Sequence, residues 1–408
     1  MLATLIPLFD EKMAVRAYSL FSQKDNFLLD PRYFSTGIND GVGRINGLEI
    51  IESMGIKTLS QDKEIFVPVN NISIFTDIAS QCSAPHERIV LFVDNTVRPE
   101  EMYINRIKQL KEDGYKLAMC RLQVADFENY KPILLMMDYM LLNYKRIDIS
   151  KARVYFKLVY PNIKLVAEDI QSMEDFEKLK SEEGYQFFEG DFYRVPITKG
   201  DTKVAPLKVN YIQLINMVND DNFELTKAAD IIGRDTALVI SLLKIVNKMS
   251  RNSEITSIRH AAAMMGQKEL RKWITTAVTR ELCFDRPNEI TRISLLRAKF
   301  AENLADCFGM RIQSQELFIM GLFSVLDLIL NKPMSEALSL VNVSDKIRKA
   351  LVEQEGDFAS VLKFMIQYEN ANWQEVSRLL ILSNIAMDDV YRAYISALEW
   401  YRDLFTED

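Results

Sequence analysis

The feature that most constrains this chain is a change of period near its midpoint. Up to Pro196, short apolar or β-branched runs alternate with longer stretches at helical spacing; beyond it the strand-like runs stop. The runs are 65–69, 89–93, 116–122, 137–142 and 164–167. Between them, 98–113 places Met102, Ile104, Ile107 and Leu110 on one side, and 172–183 does the same with Met173, Phe176 and Leu179. Strand alternating with helix implies a parallel sheet. Closed on itself, it predicts a TIM-like (β/α) barrel over 1–198, with functional residues at the C-terminal ends of its strands. Gly114 and Gly184 stand where a helix ends and a strand begins at once.

Residues 199–208 (KGDTKVAPLK) hold Gly200, Asp201 and Pro206 and few large apolar side chains, and read as a linker. Helical spacing then runs through 209–218, 225–232, 236–249, 257–266 and 268–282. Gly233 and Gly266 sit at helix ends, Asn222 near the start of the second helix, and Asp235 at an N-cap. The pattern predicts an α/β domain followed by an all-α bundle over 209–408. The apolar run GLFSVLDLIL reads as a core helix. The aromatic C-terminus, with Trp373, Tyr391, Tyr394, Trp400 and Tyr401, reads as a last helix docked onto the bundle or the barrel.

Charge and composition exclude several classes. Fifty Lys and Arg against 57 Asp and Glu give a net charge of −7, which argues against general nucleic-acid binding. No apolar run reaches the roughly 18 residues of a membrane-spanning helix. The N-terminus lacks a signal-peptide pattern, so a cytoplasmic protein is expected. Cys82, Cys120, Cys283 and Cys307 are widely spaced and read as reduced, packed thiols. The only two histidines, His86 and His260, are too few for a histidine-rich metallohydrolase site, and His260 reads as a packed or surface residue.

In order and wording, AYSLF (17–21), GYKLAMCRL (114–122), KLVAEDI (164–170) and GYQFFEGDFYRVP (184–196) resemble the EAL family of cyclic-di-GMP phosphodiesterases, in the shortened form found fused to an HDOD domain. Residues 229–250, 255–266 and 270–274 resemble the HDOD domain, a non-catalytic relative of HD phosphohydrolases. Segments 293–305, 318–334 and 366–373 resemble the rest of the same fused family. The EAL resemblance implies a site where two divalent cations clamp the oxygens of a phosphodiester. Such cations need hard oxygen ligands at several strand ends.

Position by position, those ligands are missing. The naming glutamate falls at Ser19. The next asparagine falls at Pro68, with Asn70 and Asn71 two or three residues late. The following glutamates fall at Phe92 and Asn95, beside Asp94. The aspartate pair falls at Cys120 and Arg121, and the lysine at Leu141. Glu168 is kept, but the second glutamate of its strand is Gln171, and the expected glutamine is Glu189. The resemblance therefore implies a degenerate phosphodiesterase domain that is not an enzyme and holds neither metal nor cofactor. It would act as a regulatory scaffold for protein partners in cyclic-di-GMP-linked signalling. The alternative is a receptor that binds cyclic-di-GMP without cleaving it, with Arg121 meeting an anion, either a phosphate or a partner's carboxylate, instead of making a structural ion pair. A homodimer is compatible with either.

Overall fold

The computed structural model describes residues 1–26, 28, 44–61, 63–198, 206–218, 223–233, 235–249, 255–282 and 288–404. Cys283, Asn222 and residues 199–205 of the expected linker lie outside them. By contacts the chain forms two compact units: Met1–Val195 with Asn303–Ser314 and Val361–Asp408, and Pro196–Glu302 with Gln315–Ser360.

The first unit is built on a closed barrel of eight strands in chain order. They are β1 (Leu2–Phe9), β2 (Val15–Gln23), β3 (Glu64–Val69), β4 (Ile89–Val93), β5 (Lys116–Met119), β6 (Tyr139–Asn143), β7 (Lys164–Ile170) and β8 (Tyr185–Gly190). Strands β2 to β8 pair in parallel. The alternation of strands and helices predicts an all-parallel sheet; instead β1 runs antiparallel to both β2 and β8. The reason is local. Only five residues, 10–14, separate β1 from β2, enough for a hairpin and far too few for a parallel crossover. Asp10 organises that turn: its carboxylate accepts from the Lys12 and Ala14 amides and from Arg16 Nε at 2.7 Å. Arg16 and these amides hold the Asp10 carboxyl below its ordinary value against the opposing effect of burial.

The strands read as their burial demands. All five residues of β4 (IVLFV) are buried, as befits a parallel strand covered on both sides. One residue in two points into the barrel, where Ala17, Phe66, Val90, Ala118, Tyr139, Val166 and Phe187 form a filled core. Aromatic rings fill its centre: Tyr139 packs edge-on to Phe66 at 5.1 Å and stacks on Phe187 at 5.8 Å between ring centroids. Helices Glu101–Glu112, Ile149–Val159 and Met173–Ser181 follow β4, β6 and β7. Asp148 and Ser172 cap the latter two, each accepting an amide N–H three residues on at 3.1 Å.

The spacing predicts one helical domain over 209–408, but the segments 303–314 and 361–404 pack in the barrel unit. Within that unit Tyr368 Oη accepts the Ala3 amide of β1 at 3.2 Å, and Tyr394 Oη lies 3.4 Å from Thr4 Oγ1. Tyr394, one of the C-terminal aromatics, and Tyr368 are buried there, so this last helix docks on the barrel, one of the two expected places.

The second unit is all-helical. Helix Pro206–Val218 begins inside the stretch expected to be linker, with proline as its first residue. Leu225–Ile232 and Thr236–Met249 match the spacing, and Asp235 Oδ1 accepts the Leu238 amide at 3.0 Å as an N-cap. Ile258–Leu282 is broken at Gly266, whose φ of 74° no other residue adopts cheaply. Glu289 and Arg292 form a buried ion pair at 2.8 Å. No helix among the described residues is long and apolar enough to cross a membrane.

One glycine tests the barrel's packing. Gly190 ends β8 at φ 141°, and a Cβ there would lie 2.1 Å from the Ile170 carbonyl oxygen of β7. Gly190→Ala is expected to cost about 3 kcal/mol or more, as strain and overpacking combined. Gly309→Ala, at φ 69° with open space around it, should cost only about 1–2 kcal/mol. Chemical denaturation of the two variants should show that order.

Candidate functional site

Seven of the positions singled out for metal chemistry lie two residues beyond an interior core residue of a barrel strand. Ser19 follows Ala17, Pro68 follows Phe66, Phe92 follows Val90, and Cys120 follows Ala118. Leu141 follows Tyr139, Glu168 follows Val166, and Glu189 follows Phe187. With a side-chain period of two, all seven share the inward face, one layer nearer the C-terminal mouth. The fold thus brings the expected set together, including residues more than 160 positions apart in sequence. Arg121 and Gln171 lie outside that alternation.

The layer is mostly apolar. Ser19, Phe92, Cys120 and Leu141 are buried, and Phe92, Cys120 and Leu141 belong to the same hydrophobic core as the residues beneath them. Burial, followed by the nearby Glu168 charge, pushes the Cys120 thiol far above its ordinary value, so it is a packed neutral thiol and not a thiolate ligand. Asn70 and Asp94, the polar residues near vacant positions, are engaged locally. Asn70 Oδ1 accepts the Ile72 and Ser73 amides, and Asp94 Oδ1 accepts from the Thr96 amide and hydroxyl.

Two carboxylates remain, on β7 and β8. Burial pushes Glu168 up to about 8, reinforced by the neighbouring Glu189 charge and offset by Arg121. Burial pushes Glu189 up to about 7, offset by the Asp169 amide, which donates to Glu189 Oε2 at 3.1 Å. Asp169 itself has a left-handed backbone, φ 65°, and its carboxylate accepts from Lys145 Nζ at 3.1 Å and Gln171 Nε2 at 2.8 Å. Gln171 thus serves as a surface tether for Asp169.

Strand β5 ends at Met119, one residue short of Cys120, although the Cys120 amide still donates to Val93 O at 2.9 Å. The next residue, Arg121, has φ 60°. That conformation turns the chain away from the ladder and leaves its side chain 61% exposed, with Nη1 3.4 Å from Asp94 Oδ2. The pair is long and wet, and contributes little stability. No group of three or more His, Cys, Asp or Glu able to hold a metal ion occurs among the described residues. The residues present do not fit a two-cation centre: five of the seven inward positions offer no anionic oxygen, and the two that do are held toward protonation. His86 is tied to Asp113 O at 2.7 Å and stacks on Tyr115; His260 is exposed on its helix.

Sequence reasoning did not find Asp169, Arg146 or Arg194 as parts of this electrostatic neighbourhood. Arg194, paired with Asp191 and with Glu369, could not be placed because Glu369 lies 175 residues away on a helix expected elsewhere.

The raised carboxyls set a pH dependence. Both fold with values above the ordinary 4.5 of a glutamate, so the unfolded chain releases these protons first as pH rises. Their burial therefore leaves stability intact below about pH 4.5 and erodes it up to about pH 8, where the loss levels off. Glu168→Gln should raise the melting temperature at pH 8 and leave it nearly unchanged at pH 5. Equal destabilisation at both values in thermal unfolding would mean that the ionised carboxylate is itself a structural partner.

Comparison with known proteins identifies the helical half and finds relatives along the rest of the chain. Residues 204–360 match the family model of the HDOD domain. The uncharacterized protein YuxH of Bacillus subtilis is 24% identical over 407 residues, 98% of this chain and 97% of YuxH. The cyclic di-GMP phosphodiesterase CdgJ of Vibrio cholerae is 26% identical over 326 residues, 78% of this chain and 74% of CdgJ. Among solved structures, an EAL domain protein from Listeria monocytogenes aligns with a TM-score of 0.35 at 16% identity, covering 47% of this chain and 86% of that one. The helical second unit, whose boundaries at 196–302 and 315–360 enclose nearly the same residues as the family match, is an HDOD domain carried on the same chain as an eight-stranded barrel.

Proposed function

We propose that this chain is a non-catalytic signalling protein, in which an EAL-like barrel and an HDOD domain act as a regulatory scaffold for protein partners in cyclic-di-GMP-related circuits of the cytoplasm. One observation carries the reading. The seven inward positions at the barrel's C-terminal mouth are built on strands of the closed barrel, yet four of them, Ser19, Pro68, Phe92 and Cys120, lack the oxygen ligands that two-cation chemistry requires, and Leu141 stands in place of the expected lysine. A complete scaffold with an apolar, metal-incompetent mouth supports use of the fold and its surface over hydrolysis. The resemblance to CdgJ, itself a cyclic di-GMP phosphodiesterase, supports the signalling context.

A second reading is favoured by Arg121. Its left-handed backbone sets an exposed guanidinium beside Cys120, where a cation would otherwise be coordinated. A guanidinium there suits a phosphate oxygen, so the barrel mouth would receive cyclic-di-GMP without cleaving it.

Two measurements separate these. Purified protein incubated with cyclic-di-GMP and either Mg²⁺ or Mn²⁺ should release no linear dinucleotide above the buffer rate; metal-dependent release sinks both readings. Calorimetry with cyclic-di-GMP should show no binding at about 100 μM ligand if the barrel is a scaffold. Binding that Arg121→Ala weakens about tenfold or more would select the receptor.

A further inference from the structure

The end of the barrel opposite the mouth carries charge that the mouth does not use. Followed backward from the core, the period of two marks a second inward layer there. Glu64 stands two residues before Phe66, Lys116 two before Ala118, and Lys164 two before Val166. Each is the first residue of its strand, so the layer lies at the N-terminal end. Three contacts bear the arrangement out. Lys116 Nζ pairs with Glu64, and the buried Tyr139 donates from Oη to Glu64 Oε2 at 2.8 Å. Lys164 Nζ lies 5.3 Å from the centre of the same Tyr139 ring. Arg88 stands immediately before β4, and Ile89 pairs with Ile65, so the guanidinium belongs to the strand start beside Glu64.

A cavity of about 730 Å³ opens at this end, wholly within the barrel unit. Its cationic lining is Lys12, Arg16, Lys63, Arg88 and Lys164; its carboxylates are Asp10, Glu11 and Glu64. Two of those carboxylates are already spent. Asp10 accepts from Arg16 and from the amides of its own turn, and Glu64 accepts from Lys116 and Tyr139. Glu11 is exposed on the turn. Among the described residues, Lys12, Arg88 and Lys164 form no ion pair, and all three are exposed. The N-terminal end of a (β/α) barrel ordinarily serves stability. Ion pairs closed within the chain do that; cations gathered without partners do not. In a chain of net charge −7, such a group in one concave end concentrates anions from solution.

We propose that the N-terminal end of the barrel binds a small phosphate-bearing anion, held by Lys164 and Arg88. The Arg88 guanidinium suits two phosphate oxygens at once, and Lys164 supplies a point charge. Lys12 and Lys63 line the same cavity and add to the attraction. The volume lies within the usual range of small-molecule sites, which favours a small anion over an acidic protein surface. The site is at the far end of the strands from Arg121 and depends on neither reading of the mouth.

The test is calorimetry on the full chain with inorganic diphosphate at fixed ionic strength. Diphosphate should saturate a single site below about 1 mM. Lys164→Ala and Arg88→Ala, both at exposed side chains, should each weaken it about tenfold, the loss of one charge-assisted contact. Arg121→Ala should leave the affinity unchanged, so that binding at the mouth reads out separately. No saturable heat at about 1 mM, an affinity that neither Lys164→Ala nor Arg88→Ala lowers, or weakening by Arg121→Ala would overturn the proposal. So would a poly-glutamate peptide that binds where diphosphate does not, which would assign this end to an acidic protein partner.

Discussion

The barrel closes across one paired register, Phe9 of β1 opposite Phe188 of β8. Everything at the mouth depends on that seam, because a sheet left open would not hold seven inward positions in one layer. The ladder there is too short to close it alone. Aromatic packing supplements it: Phe9 meets Phe192 edge-on at 5.5 Å and Tyr193 at 4.6 Å, both just beyond β8. Along the other margin β1 pairs over its whole length with β2. Tyr368 and Tyr394, buried on C-terminal helices of the same unit, hydrogen-bond to its first residues. The chain's last helices are thus part of what makes its first strand a barrel strand.

With the barrel closed, the chemistry of the mouth follows from burial. An inward layer of Phe92, Cys120 and Leu141 continues the apolar core upward and lowers the local dielectric. In that setting Glu168 and Glu189 become expensive to ionise, which is the reverse of what a cation site needs. Arg121 partly offsets Glu168 from outside the layer, and its own exposure leaves it able to meet an anion.

Much of this was legible from the residues alone. β4 and helices 225–232 and 236–249 fall where period and capping place them, because β4 is buried throughout and the helix ends are marked by Gly233 and Asp235. The candidate positions came from the resemblance to the EAL family, and the period of two on each strand explains why seven of them share a face. Three things were not. The antiparallel β1 carries the same apolar composition as a parallel strand, and only the short 10–14 turn distinguishes them. The return of 361–404 to the barrel unit is a tertiary choice that helical periodicity does not encode. The left-handed backbone of Arg121 also gives no sign in composition, since arginine carries no preference for it.

The central claim is that the barrel mouth cannot assemble a divalent-cation centre. The most direct measurement is a Mn²⁺ titration of the full chain followed by electron paramagnetic resonance, which reports free aqueous Mn²⁺ by its six-line signal. The account predicts that the signal grows in proportion to added metal, as in buffer, with no saturable site at about 100 μM. Stoichiometric loss of the signal that Glu168→Gln restores would contradict it.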